Sequence, residues 1–408
     1  MFKIPRTYRE EDQDYLTIPP LKSFCNEHGI SANFDRMELI EKIEKYANHS
    51  AEYKKEVYEW LHNVLFMGKK TCIVDKIHLK YKDLDRMKEI LHNEFEKHTN
   101  YYVASYNPKH DLKIVNHTVW VKGEHKKLCG AQVVYYIQLL QRIANSPNVK
   151  TISFPVFVDL DFENNFVITR ANPVSGLYFC NGKNLEIDEK KKTRYDKIMR
   201  LCRDNLLSKI SCKKEDGIIE RDNFKKVIFK LLDRCSKTPI EIQKYINMCS
   251  RDCKNFIDTV FTNMEIRINP DDYEDAMKDM KIFIEKYASI TYPNSDIFMK
   301  DRMAYPIKLV AQDNEFTKIQ ESTSGFEEPL QMKKAFFDSK KSVYADKKCD
   351  KICLMYKKER KKYYGDKNFP VIISVDKGSC FVKFTRFTEE ADINNVLSGI
   401  IQLYGIQE

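Results

Sequence analysis

Glycine and tryptophan are scarce in this chain of 408 residues, which has 12 and 2 of them. The phosphate-binding loops GxxxxGK[ST] and GxGxxG do not occur, and neither does the GxSxG motif. These absences argue against P-loop nucleotide hydrolysis and against serine hydrolases with a nucleophile elbow. No run of about 18 apolar residues is present, and the N-terminus lacks the apolar stretch of a signal peptide. We therefore expect no membrane span and a cytoplasmic location.

Patterns that bind metals through histidine or cysteine are also missing. All nine histidines precede residue 126, and neither HExxH nor CxxC occurs. The twelve cysteines have no paired spacings, apart from Cys249/Cys253 and Cys349/Cys353, which are four residues apart without further partners. Without a secretory signal, this distribution is typical of reduced thiols in a protein interior.

The residues that are present predict a multidomain α+β fold. Apolar side chains recur at helical spacing in some stretches and at every second position in others. We predict a small N-terminal helical module over residues 1–69 and a mixed sheet core with hairpins over 70–189. A helical section over 190–291 and a basic α+β C-terminal part over 292–408 complete the expected organisation.

Positive charge is concentrated near the C-terminus. Residues 331–387 contain sixteen Lys or Arg against six Asp or Glu, a net charge of +10, whereas the rest of the chain carries −1. Ten Phe and Tyr residues are interleaved with these cations. Such a mixture is typical of surfaces that hold phosphates by charge and bases by stacking. A solvated basic face and an anionic membrane surface are alternatives, of which we favour the membrane less.

The basic segment supplies most of the candidate nucleic-acid contacts. Lys357 to Gly365 reads as an exposed strand end and loop, because so many consecutive charges cannot lie in a core. The candidates are Lys333, Lys334, Lys340, Lys341, Lys357, Lys358, Arg360, Lys361, Lys362, Tyr363, Tyr364, Lys383 and Arg386, together with Lys22 and Arg36 near the N-terminus.

The N-terminal stretch predicts two short helices around an ordered link. Pro19 and Pro20 suit a first helical turn, Gly29 suits a left-handed C-terminal position, and Asp35 with Glu38 forms a capping box. Over residues 16–47 the pattern resembles the SAP module, a helix, link and helix that usually binds DNA in its family. The matching residues are Leu21, Gly29, Ile30, Glu38, Leu39, Ile40 and Ile43. Where the family commonly has glycine before the basic residue of the second helix, this chain has Phe34-Asp35-Arg36.

Two acidic patterns raise the alternative of a divalent-metal nuclease. Asp159, Asp161 and Glu163 alternate with apolar residues at a predicted hairpin, so their carboxylates are expected on one face, where they could bind Mg²⁺ or Mn²⁺. Asp338 and Lys340, after Ala335-Phe336-Phe337, fit the acid-x-Lys strand of restriction-type nucleases.

The leading hypothesis is a nucleic-acid-binding protein, with DNA favoured over RNA. The basic segment would supply most of the affinity, and the SAP-like module would assist. A metal-dependent nuclease is one alternative. A non-catalytic subunit that docks a protein through the N-terminal helices is another.

Overall fold

The computed structural model describes residues 1–10, 15–80, 84–105, 111–143, 148–180, 187–312, 318–322, 328–359, 362–363 and 365–406. They form two compact units, each built from three chain segments. The first unit comprises residues 1–221, 358–369 and 376–401, and the second comprises 222–357, 370–375 and 402–408. The predicted α+β class is confirmed. The first change of unit along the chain lies between residues 221 and 222. The four-part organisation with boundaries near residues 69, 189 and 291 stays a prediction.

The first unit combines N-terminal helices with an antiparallel sheet. Its helices are α1 (Arg6–Arg9), α2 (Ile18–Glu27), α3 (Arg36–Ala47), α4 (Ala51–Phe66), α5 (Leu84–Phe95) and α6 (Tyr195–Lys209). Its strands up to residue 221 are β1 (Thr71–Leu79), β2 (Lys113–Lys122), β3 (Lys127–Arg142), β4 (Val149–Asp161), β5 (Phe166–Ala171), β6 (Leu177–Phe179), β7 (Lys192–Thr193) and β8 (Cys212–Lys214).

The second unit begins within α7 (Gly217–Cys235) and continues with helices and four strands. These elements are α8 (Ile240–Met248), α9 (Ser250–Asn263), α10 (Pro270–Thr291), β9 (Ala304–Gln312), β10 (Lys318–Ser322), α11 (Lys334–Asp346), β11 (Lys351–Lys357) and β12 (Asn368–Asp376). The strands follow the order β10-β9-β11-β12. The chain ends with β13 (Ser379–Phe384) in the first unit and α12 (Glu390–Gly405), whose last turn belongs to the second unit.

The sheet of the first unit runs β13-β1-β5-β4-β3-β6-β7, while β2 pairs with β3 and β8 with β1. Strands β4 and β5 form the predicted hairpin, and Asn165 has the positive φ of 58° that its tight turn requires. Successive residues of a strand point to opposite faces, so each strand contributes to two cores.

Helices cover both faces of this sheet. On one face, α2, α3 and α4 pack against Val134, Tyr136 and Phe157 in a single buried cluster. On the other face, α5 and α6 pack against the alternate residues Val133 and Tyr135. The N-terminal helices therefore share their core with the sheet and are not a separate domain.

Local signals at the N-terminal helices are confirmed. Prolines occupy the first turn of α2, and Gly29 after its end has a φ of 67°. Asp35 and Glu38 make the expected capping box of α3, and Ser50 caps α4. The sequence Thr238-Pro239-Ile240-Glu241 at the start of α8 also has the spacing that predicts a capping box, but this prediction is wrong. Pro239 is the N-cap, and the Thr238 hydroxyl donates instead to Glu285, 2.6 Å away.

No helix within the described ranges is both long and apolar enough to cross a lipid bilayer. All twelve cysteines lie in those ranges, and none forms a disulfide.

Candidate nucleic-acid interface

A groove of about 870 Å³ opens in the second unit. It lies between α7, the end of α11 and the last turn of α12. Five cationic and six apolar or aromatic side chains line it, with one carboxylate and one amide. We call this set the basic groove: Asn223, Lys226, Val227, Phe229, Lys230, Asp233, Arg234, Lys237, Tyr344, Lys347, Leu403, Tyr404 and Ile406.

Helix α7 supplies most of the positive charge. Lys226, Lys230 and Arg234 are spaced four residues apart, which places them along one stripe of the helix, and Lys237 follows shortly after its end. Phe224 and Ile228 are fully buried, so the helix is anchored by one face while the stripe borders the groove.

The cations of this stripe differ in their ion pairs and hydrogen bonds within the protein. Lys226 lies 3.3 Å from Asp222, which also pairs with Lys348 at 2.7 Å. Burial would raise the pKa of Asp222, but hydrogen bonds from Lys348 and Lys226 outweigh it and lower that pKa. Lys230 donates to the backbone carbonyl of Ile406 at 2.5 Å. Lys226, although paired, is exposed, as are Arg234 and Lys237.

The last turn of α12 and the residue after it form a wall of different character, since the lining residues Leu403, Tyr404 and Ile406 carry no charge. The Tyr404 hydroxyl accepts a hydrogen bond from the side-chain amide of Asn223 at 3.2 Å. The Tyr404 ring lies 5.4 Å from that of Phe224, measured between centroids. These contacts fix the ring at the edge of the groove.

Helix α11 contributes Tyr344 and Lys347. The Tyr344 hydroxyl lies 3.0 Å from that of Ser236, and its ring packs edge-on against Phe229 at 5.1 Å. Burial raises the pKa of Tyr344 above its usual range. Lys347 ends the helix with a φ of 50° and is exposed.

A second cavity of about 560 Å³ shares Arg234 and Lys237 with the basic groove. Its other lining includes Lys300, Arg302 and two carboxylates. The Arg302 guanidinium is already occupied, because it donates to the backbone carbonyl of Cys235 at 2.8 Å and to that of Lys237. Burial lowers the pKa of Arg302. Arg234 and Lys237 therefore border both cavities.

The cations of residues 331–387 that were predicted to contact nucleic acid differ in their exposure and in their ion pairs. Lys334, Lys357 and Lys383 are exposed, and Arg386 is half-buried. Several others are held by carboxylates within their own unit: Lys333 by Glu328 at 2.6 Å, Lys340 by Glu285 at 2.6 Å, Lys341 by Asp279 at 2.8 Å and Lys362 by Glu27 at 3.7 Å. Lys340 is the least accessible of these, because its side chain is only 13% exposed and is bonded to a buried carboxylate.

Half of the ten aromatic side chains of this segment are turned into the cores and cannot stack on a base. Five are buried in the cores, namely Phe336, Phe337, Tyr356, Phe369 and Phe384. The predicted loop after β11 contains Lys358, which is half-buried, and Tyr363, whose backbone N–H donates to Glu389 at 2.9 Å. Arg360, Lys361 and Tyr364 lie outside the described residues.

Of the two N-terminal candidates, Lys22 is exposed on α2. Arg36, in contrast, is buried and not exposed as its candidacy requires. It is 9% exposed, and its guanidinium donates to the backbone carbonyls of Leu16, Arg9 and Tyr8. It ties α3 to the chain before α2 and is not presented to a ligand.

The carboxylates at the β4/β5 hairpin are engaged within the protein. Asp159 is buried, 2.7 Å from the Arg170 guanidinium, and it accepts a second hydrogen bond from Gln132. Asp161 accepts bonds from Asn164 and so closes the turn, while Glu163 pairs with Lys122 at 2.6 Å. Each of the three carboxylates is therefore already bonded to a neighbouring side chain. Within the described ranges, no three His, Cys, Asp or Glu side chains are grouped to hold a metal ion.

The expectation that Asp338 and Lys340 lie on the strand of a restriction-type nuclease is wrong, since both residues lie on α11. Their charges connect α11 to α10, because Asp338 pairs with Lys286 and Lys340 with Glu285. Phe336 and Phe337 before them are buried, and they too lie on the helix and not on a strand.

Sequence reasoning missed the basic groove, although one signal was available. Lys226, Lys230 and Arg234 are spaced four residues apart within the section predicted to be helical, over residues 190–291, and this spacing indicates a cationic stripe. No protein-family model, curated protein or solved structure matches this chain.

Proposed function

We propose that this protein binds nucleic acid, with DNA favoured over RNA, and that the basic groove holds its phosphates. The observation that carries the proposal is the row of cations along α7 facing a cavity whose lining includes only one carboxylate, Asp233. Clefts lined by one sign of charge concentrate ligands of the opposite sign. Phosphates neutralised by Lys and Arg release counterions, and this release drives binding.

Exposed cations of the first unit would make additional contacts to the nucleic acid. Lys22 lies on α2, and Lys362 lies 3.7 Å from Glu27 at the end of the same helix. The loop after β11 and the SAP-like helix pair are thus neighbours in the first unit. We include in the proposal a cytoplasmic location and a secondary role of the helix pair in contacting either DNA or a protein partner.

The engagement of Asp159, Asp161 and Asp338 within the fold favours binding over metal-dependent cleavage. Each of these carboxylates already bonds a cation or closes a turn. A nuclease would need such groups free to hold hard cations at the reacting phosphate.

The test compares two triple variants by fluorescence anisotropy with a labelled oligonucleotide over a range of salt concentrations. One variant changes Lys226, Arg234 and Lys237 to Gln in the groove. The matched control changes three exposed lysines of the same unit that do not line it, Lys244, Lys254 and Lys281.

We expect the groove variant to bind more weakly and to flatten the dependence of log K on log salt by about 2 to 3, since each phosphate contact contributes about 0.7 to 0.9. The control should behave like the unsubstituted protein. Equal binding and equal slopes in both variants would refute the groove as the phosphate site.

A further inference from the structure

We infer that the basic groove accommodates a single strand and not a duplex, with phosphates along α7 and bases against the wall formed by α12 and Tyr344. This inference rests on the proposed function, because it names the form of nucleic acid that the same site takes.

The two walls of the groove have different chemistry. Four of the five cations come from α7 and the residues just after it, namely Lys226, Lys230, Arg234 and Lys237. The last turn of α12 contributes only uncharged side chains, and Tyr344 adds a second aromatic ring. A ligand that fits both walls must be anionic along one edge and flat and apolar along the other.

A single strand has this character, and a duplex does not. In a duplex the bases are stacked inside, and the outward surface that a protein groove meets is sugar and phosphate. The uncharged wall would then have no complementary partner. A groove of about 870 Å³ has the size of a pocket that encloses small ligands, which are about 300–1,000 Å³. Unstacked bases can enter such a space and stack on aromatic rings, as they do in proteins that bind single strands.

The rings are held in place before any ligand binds. Tyr404 is fixed by the amide of Asn223 and by packing on Phe224, and Tyr344 is fixed by Ser236 and Phe229. Both tyrosines are partly buried and partly exposed. Rings that are already ordered lose little conformational freedom when a base stacks on them, which favours affinity.

The test measures binding of a single-stranded oligonucleotide, the duplex of the same sequence, and a single strand of equal length in which abasic sites replace the nucleotides. We expect the base-containing single strand to bind most tightly. The abasic strand keeps the phosphates, so it should show a similar salt slope but weaker binding. The loss should be about 5-fold to 150-fold per stacked base (about 1–3 kcal/mol).

Two double variants test whether the bases stack on the tyrosines of the groove. Changing Tyr344 and Tyr404 to Leu should weaken binding of the base-containing strand and leave binding of the abasic strand unchanged. Changing both to Phe keeps the rings and should retain binding. The matched control changes Tyr245 and Tyr287 to Leu, two exposed tyrosines of the same unit that do not line the groove, and should have no effect.

The possible results separate this inference from the proposed function. If the duplex binds as tightly as the single strand and the Lys226/Arg234/Lys237 variant weakens both, the single-strand inference is wrong while the proposed function stands. If the abasic strand binds as well as the base-containing strand, the stacking wall is refuted in the same way. If that cation variant weakens neither, the proposed function itself fails.

Discussion

Lys70, directly before β1, is a buried lysine whose charge should make the stability of the protein depend on pH. Its side chain is 1% exposed, its ammonium donates to the side-chain oxygen of Asn172, and it lies 5.6 Å from the centre of the Tyr15 ring. Burial and, to a lesser degree, the nearby Arg170 lower the pKa of Lys70 from 10.5 to about 7, against an opposing effect of Cys72. The folded protein therefore loses this proton near neutrality.

The direction of the pH dependence follows from comparing proton binding by Lys70 in the folded and unfolded states. Between pH 7 and 10.5 the unfolded chain still binds the proton that the folded protein has released, so this group makes the free energy of unfolding rise with pH. Below pH 7 both states are protonated and the folded state bears the full cost of the buried charge. A shift of this size corresponds to about 5 kcal/mol, at about 1.4 kcal/mol per pKa unit. About half of that cost is relieved by pH 9.

The perturbation is Lys70→Met, which keeps the length of the side chain and removes the charge. Urea unfolding followed by circular dichroism at pH 6 and pH 9 measures the difference in unfolding free energy between variant and unsubstituted protein. We expect the variant to gain about 3 kcal/mol more at pH 6 than at pH 9. Lys197→Met, an exposed position on α6, is the control and should show no such pH dependence. A difference for Lys70→Met that is equal at both pH values, or larger at pH 9, would refute the reasoning.

Two further substitutions test the structural roles of Arg36 and Lys340. Arg36→Gln should lower the free energy of unfolding by about 2–4 kcal/mol in urea titrations, because three backbone carbonyls lose a charged donor, and it should leave the salt slope of oligonucleotide binding unchanged. An unaltered stability would contradict the structural role of Arg36. Lys340→Met should cost about 3–5 kcal/mol by leaving Glu285 buried without its cation. Adding Glu285→Gln should restore part of the loss, and a double variant as unstable as the single one would count against a buried ion pair.

Local structure could be predicted well from the sequence, because its causes are local. The capping box at Asp35 and Glu38, the cap at Ser50 and the turn at Asn165 depend on residues a few positions apart, and the structure contains all three. Apolar residues recur at helical spacing over the final helix, and Ile393 and Ile400 among them are fully buried. Class and element types therefore follow from periodicity and capping.

Features that depend on distant residues could not be predicted. The acids that neutralise Lys340 and Lys341 lie on α10, more than 50 residues earlier in the chain, so a local charge count overestimates the positive surface of residues 331–387. The aromatic residues there are as compatible with a core as with a stacking surface, and packing decides between the two. The basic groove combines three segments, around residues 223–237, 344–347 and 403–406, which only the tertiary fold brings together.

The pairing of β1 with β13 has a consequence for how the protein is made. Thr71 pairs with Lys383, so one edge of β1 is completed by a strand that is synthesised about 300 residues later. At about 5–20 residues per second, that edge waits about 15–60 s on the ribosome after β1 itself has emerged. An apolar strand with an open edge is prone to pair with other chains. Production of this protein should therefore depend on chaperones that shield a nascent chain until its C-terminus has been translated.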